Sequence, residues 1–120
     1  MNTNKIDRDI QEFLTILRIV WKLRIGIQAV LDRIPNDGKY YLTIDADGVD
    51  PTIMPAVACP APGGVTYDQM RMLIHGLVDK GRVVGMDIVE ITPKRDINGI
   101  TAGRFICNLN GKAVRAGYFN

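Results

Sequence analysis

Two short apolar runs constrain this chain most. Residues 40–44, Tyr-Tyr-Leu-Thr-Ile, are aromatic and β-branched and show no polar alternation. Residues 83–90, Val-Val-Gly-Met-Asp-Ile-Val-Glu, read the same way. A strand with one wet face alternates apolar and polar residues, whereas a strand covered on both faces does not, and the latter is the habit of parallel sheets. Parallel strands need a long crossover between them. The intervening residues supply one: Thr66 is placed to cap a helix running to about Lys80, with Met70, Leu73, Ile74, Leu77 and Val78 at helical spacing and Gly81 at its end. The unit is therefore βαβ, an α/β arrangement with flanking helices.

The flanks read as follows. Residues 7–24 carry Ile10, Phe13, Leu14, Leu17, Val20 and Trp21 at steps of three and four, which predicts a helix. Ile16, Ile19 and Leu23 widen its apolar face, so it needs cover on more than one side. A second helical piece covers about 27–34 and stops before Pro35. Residues 35–39 form a turn. The seventeen residues from Gly48 to Gly64 hold Pro51, Pro55, Pro60 and Pro62 and read as one long loop. An irregular stretch of that length in a compact domain points to function. Residues 92–99 read as a loop, 100–109 as a short helix ending near Gly111, and the last nine residues carry no firm signal. Two strands that both ask for cover on both faces do not make a self-sufficient sheet. The expectation is a portion of a larger sheet.

Bulk properties exclude more than they select. The chain has 120 residues, 47% hydrophobic and 23% charged, as an ordinary globular domain does. A net charge of +2 gives no ground for a nucleic-acid partner or a membrane surface. The most apolar run, 13–27, is broken by Arg18, Lys22 and Arg24 and is too short to span a bilayer. The polar N-terminus does not resemble a signal peptide. Cys59 and Cys107 lie in different segments, form neither a disulfide framework nor a zinc motif, and read as packing residues. A reduced, cytoplasmic setting is the expectation.

The chemistry is concentrated in Thr-Ile-Asp-Ala-Asp-Gly-Val-Asp-Pro, residues 43–51. On a strand Asp45 and Asp47 face one way, roughly 6.5 Å apart at Cα. They lie at the carboxyl end of the first strand, where open α/β sheets bind ligands. Carboxylates that close repel unless a cation sits between them, and oxygen-only donors suit Mg²⁺, Ca²⁺ or Mn²⁺. A helix-loop-helix calcium loop fails, because it needs a ligand at 49 and glycine at 50, where this chain has Val49 and Asp50. Other readings stay open. In a haloacid-dehalogenase-like phosphatase, Asp45 would be the nucleophile and Asp47 the general acid/base. In a binuclear metal hydrolase both would be ligands. In a plain loop they would only cap turns.

Two further stretches accompany this one: Pro-Ala-Val-Ala-Cys-Pro-Ala-Pro-Gly-Gly-Val-Thr at 55–66, and Gly-Met-Asp-Ile-Val-Glu-Ile-Thr-Pro at 85–93. In that order the three resemble the ureohydrolases, the family of arginases, agmatinases and guanidinobutyrases. The resemblance runs from about Gly26 to the C-terminus. It implies a parallel-sheet, three-layer arginase-like fold, of which 26–120 are the C-terminal part. Residues 1–25 are a helical segment of uncertain origin.

Carried over residue by residue, the resemblance implies that Asp45 and Asp47 are ligands of a paired Mn²⁺ centre. Glu90 would pair with the substrate guanidinium. Asp50 would hold the turn before Pro51. Asp87, three residues before Glu90, reads as structural, paired with a helix or backbone. His75, the single histidine, falls on the polar side of its helix and reads as a solvated surface residue. The family's G-G-D-H and D-A-H-x-D motifs, which supply its remaining ligands and its histidines, do not occur in these residues. The residues after Ala102 also come about three earlier than is usual in the family. That offset turns the last helix by about 300° and threatens its packing register.

The resemblance thus implies hydrolysis of a small guanidino compound to urea and an amine, in an enzyme whose members are commonly trimers or hexamers. These 120 residues alone are expected to be inactive without a missing N-terminal half or complementary chain. A truncated, non-enzymatic partner-binding module is the other expectation.

Overall fold

In a computed structural model the described residues are 26–92 and 94–120. Helix α1, Ile27–Leu31, leads through turns to strand β1, Gly38–Asp45. A single 3₁₀ turn at Ala46–Gly48 opens the long loop. Helix α2 spans Tyr67–Lys80, strand β2 spans Gly81–Val89, and helix α3 spans Asp96–Arg115. The helix expected over residues 7–24 lies outside the described residues.

The two strands pair in parallel from Gly38↔Gly81 to Asp45↔Val89, with one irregularity between Tyr40 and Tyr41 that leaves Val84 unmatched. The α2 crossover makes this possible. Its start is fixed by a capping box: the Thr66 hydroxyl accepts from the Gln69 N–H, and the Gln69 carboxamide accepts from the Thr66 N–H. Gly81 both ends α2 and begins β2, so no connection intervenes.

One continuous core joins Val30 and Leu31 of α1, Leu42 and Ile44 of β1, Ile74 and Leu77 of α2, Val83 of β2, and Phe105 and Leu109 of α3. Gly76 lets α1 approach α2 closely, since a Cβ there would lie 2.3 Å from a Leu31 methyl. Tyr67 stacks on Phe105 with ring centroids 5.4 Å apart, closing the α2–α3 contact.

This core covers one face of the sheet only. The alternate residues Tyr41, Asp45, Asp87 and Val89 are exposed, Tyr41 at 47% and Val89 at 40%. Both strands read as doubly covered, yet among the described residues nothing packs on this second face. The exposed Tyr41 and Val89 on a parallel pair fit a face that a further layer would cover.

The last helix differs from expectation in extent. It starts at Asp96, inside the stretch read as a loop, and passes Gly111 to end at Arg115. Its buried stripe is Asn98, Thr101, Phe105, Leu109 and Ala113, at steps of three and four. That stripe runs continuously along the helix. The C-terminal residues are also ordered into the fold. The Tyr118 hydroxyl donates to the Gly81 carbonyl at 2.6 Å and accepts from the Val83 N–H at 2.9 Å, pinning the start of β2.

Candidate metal centre

β1 ends at Asp45, and the backbone there turns at once. Asp45 caps the 3₁₀ turn, its Oδ1 accepting from the Asp47 N–H at 3.0 Å. Strand pleating therefore does not set the two aspartates side by side, as the sequence suggested. A capped turn links them instead, because a carboxylate acceptor two residues back relieves an otherwise unpaired N–H.

Asp47 is oriented from a distance. Its Oδ1 accepts from the Cys59 N–H at 3.2 Å. Each aspartate thus commits one oxygen to a backbone donor, and among the described residues the other oxygen accepts no hydrogen bond. Two hard oxygen donors, oriented and half free, suit a divalent cation such as Mn²⁺ as part of a larger ligand set. They do not complete one: among the described residues no three His, Cys, Asp or Glu side chains come together.

Asp50 is occupied otherwise. Its Oδ1 accepts from the Thr52 hydroxyl at 2.6 Å and the Thr52 N–H at 2.9 Å. Those bonds, the hydroxyl first, hold its carboxyl below the usual carboxylate value. Its backbone N–H bonds the Val65 carbonyl at 3.0 Å. Gly64 is required here, because a Cβ would lie 2.6 Å from the Asp50 nitrogen.

Glu90 follows β2 directly, so it lies at the same sheet edge as Asp45, whose register partner is Val89. Neighbouring strands are about 4.8 Å apart. Glu90 is exposed and has φ 61°, in the left-handed region that a glutamate rarely enters. A left-handed non-glycine residue at the carboxyl edge of a parallel pair makes Glu90 a candidate functional residue.

The loop between Asp50 and Val65 is less irregular than its composition suggests. Val49 bridges Val65, and Val57 bridges Ile91 just beyond Glu90. Two buried polar side chains of α3 hold it from beneath. The Asn98 carboxamide bonds both backbone groups of Ala56, and the Thr101 hydroxyl donates to the Ile53 carbonyl at 2.7 Å. Neither residue was singled out from sequence. Their alignment at helical spacing with Phe105 and Leu109 was the available signal.

Three readings need correction. Asp87 pairs with the Tyr41 hydroxyl of the adjacent strand at 3.4 Å, not with a helix or backbone. Cys59 and Cys107 are exposed rather than packed. His75 is not a solvated surface residue: its Nε2 is buried without a hydrogen-bond partner among the described residues. Burial lowers its pKa; Asn108 opposes the shift, and Arg71, Lys112 and Arg115 add to it.

The fold and edge define a class: a parallel α/β unit that gathers its carboxylates at the strands' carboxyl ends. Comparison with known proteins narrows it. Residues 12–111 match the Arginase family profile, and the chain belongs to that family. The match begins inside the segment that the motifs left unplaced. The family sets aside the phosphatase reading.

The chain is 33% identical over 108 residues to an arginase of Brucella melitensis, covering 80% of this chain and 35% of that protein. It is 37% identical over 92 residues to an agmatinase of Chromobacterium violaceum, covering 74% and 28%. Its fold matches the proclavaminate amidino hydrolase of Streptomyces clavuligerus with a TM-score of 0.67 at 28% identity, covering 78% of this chain and 33% of that one. It spans about a third of the length of these proteins.

Proposed function

We propose that these residues form the carboxylate wall of an agmatinase-like ureohydrolase, which converts a guanidino compound such as agmatine and one water into urea and an amine. The observation that carries this is that Asp45 and Asp47 end the first strand, and Glu90 follows the second, at the same edge of a parallel pair in an arginase-family chain.

In this reading Asp45 and Asp47 would be among the ligands that hold a pair of Mn²⁺ ions. The metal pair, when bound, supplies Lewis acidity and lowers the pKa of water at the site. Glu90 does the chain's remaining work. Its carboxylate accepts paired N–H bonds from a planar guanidinium, which fixes the substrate's plane and orientation.

The other ligands, the catalytic histidine and the cover for the bare sheet face come from a complementary N-terminal polypeptide carrying G-G-D-H and D-A-H-x-D. The apolar exposure of Tyr41 and Val89 supports this. The test is to mix the chain with such a polypeptide, Mn²⁺ and agmatine and to measure urea. The account expects urea from the mixture, lost with Asp45→Ala. Failure of the two to associate or release urea favours a non-enzymatic module instead.

A further inference from the structure

Asn98 is fully buried, in the first turn of α3. Its Oδ1 accepts from the Ala56 N–H at 3.0 Å, and its Nδ2 donates to the Ala56 carbonyl at 2.9 Å. One carboxamide thus satisfies both backbone groups of a single loop residue, as a partner strand would. The same carbonyl also accepts from the Thr92 N–H at 3.0 Å. The next residue, Val57, bridges Ile91.

From this node the chain reaches the candidate site in two directions. Three residues after Ala56, the Cys59 N–H holds the Asp47 carboxylate. Two residues before Thr92, Glu90 sits at φ 61°. Such a backbone conformation persists only where its surroundings over-determine it, and the Ala56–Thr92 and Val57–Ile91 pairings are those surroundings.

We propose that Asn98 is a positioning residue for both carboxylates. It fixes the loop that aims Asp47 and the turn that presents Glu90, and so sets the affinity of the site for a divalent cation. The affinity part rests on Asp47 being a metal ligand; the positioning part does not. A clamp that merely stabilised the fold would act on the whole domain. Thr101 is the internal control, because it bonds the same loop from the same helix but at Ile53, six residues from Cys59.

The test is a titration of the isotopically labelled chain with Mn²⁺, reading paramagnetic broadening at the amides of Asp47, Cys59 and Glu90. Asn98→Ala is expected to weaken the apparent affinity about 10- to 100-fold, the usual effect of losing a group that orients a ligand. Asn98→Ser leaves one short hydroxyl for Ala56 and buries no charge. It is read where Asn98→Ala fails to fold, and its loss is no larger than that of Asn98→Ala. Thr101→Val lowers Tm but leaves the affinity unchanged. Equal affinity losses in the Asn98 and Thr101 variants, or none in either, overturn the proposal.

If the unaltered chain shows no broadening centred on Asp45 and Asp47, the metal reading fails by itself. The metal-free amide shifts of Cys59 and Glu90 then decide positioning. They move in Asn98→Ser and not in Thr101→Val if Asn98 aims both groups. Unmoved shifts in Asn98→Ser overturn it.

Discussion

Asp47 donates its backbone N–H to the Oδ1 of Asp45 at 3.0 Å, so the first aspartate of the pair caps the turn that presents the second. Charge and hydrogen bonding can therefore be separated at this position. Asp45→Asn keeps the acceptor oxygen and removes a negative charge from a crowded edge. It should leave metal-free stability unchanged or slightly raised, because like charges in proximity repel. Asp45→Ala removes the cap and should destabilise by about 1 kcal/mol. Both should abolish Mn²⁺ binding. Thermal unfolding with and without Mn²⁺ checks the contrast.

His75 gives the fold a pH dependence. Its imidazole is held neutral by burial, so its folded pKa lies below the unfolded value of about 6.5. The unfolded chain then binds more protons between those two values, and stability rises with pH across that window. Above about pH 6.5 the fold is at full strength in this respect, and it weakens as pH falls through that value. Asp50, with its carboxyl lowered by Thr52, loses its contribution only in stronger acid. Denaturant melts from pH 8 to pH 5 should show the decline, and His75→Gln should flatten it.

Tyr118 serves two backbone groups at once, Gly81 and Val83. Tyr118→Phe leaves both without that partner at the start of β2. The expected cost is about 1–3 kcal/mol, read as a fall in the denaturation midpoint.

Phe105 is fully buried and stacked on Tyr67 between α2 and α3. Phe105→Ala should cost about 3–5 kcal/mol. For a sheet of two strands that is enough to unfold much of the population, visible as lost far-UV signal at 25 °C.

The local signals in the sequence were sound where the physics is local. Thr66 caps α2 as its place before the apolar run implied, and Gln69, three residues on, completes a capping box that was not read from the sequence. Strands β1 and β2 fall where apolar runs without alternation place them. The same lack of alternation announced a second cover that the described residues do not supply. What escaped depends on distance along the chain. Asp47 is aimed by Cys59, and Ala56 is held by Asn98, 42 residues away. Asn98 and Gly99 read as loop residues because asparagine and glycine usually end or avoid helices. Here the asparagine's polarity is spent on Ala56, so it can lie buried inside α3. His75 looked exposed because its helix neighbours are polar, while its depth is set by α3, which packs against α2 and carries Asn108.

On the proposed function, Asp45 and Asp47 form one wall of a metal site whose histidine-bearing wall these 120 residues do not carry. The most direct test is urea release from agmatine by the 120-residue chain alone in the presence of Mn²⁺. None above background is expected. Turnover by the chain alone that Asp45→Ala abolishes would contradict it.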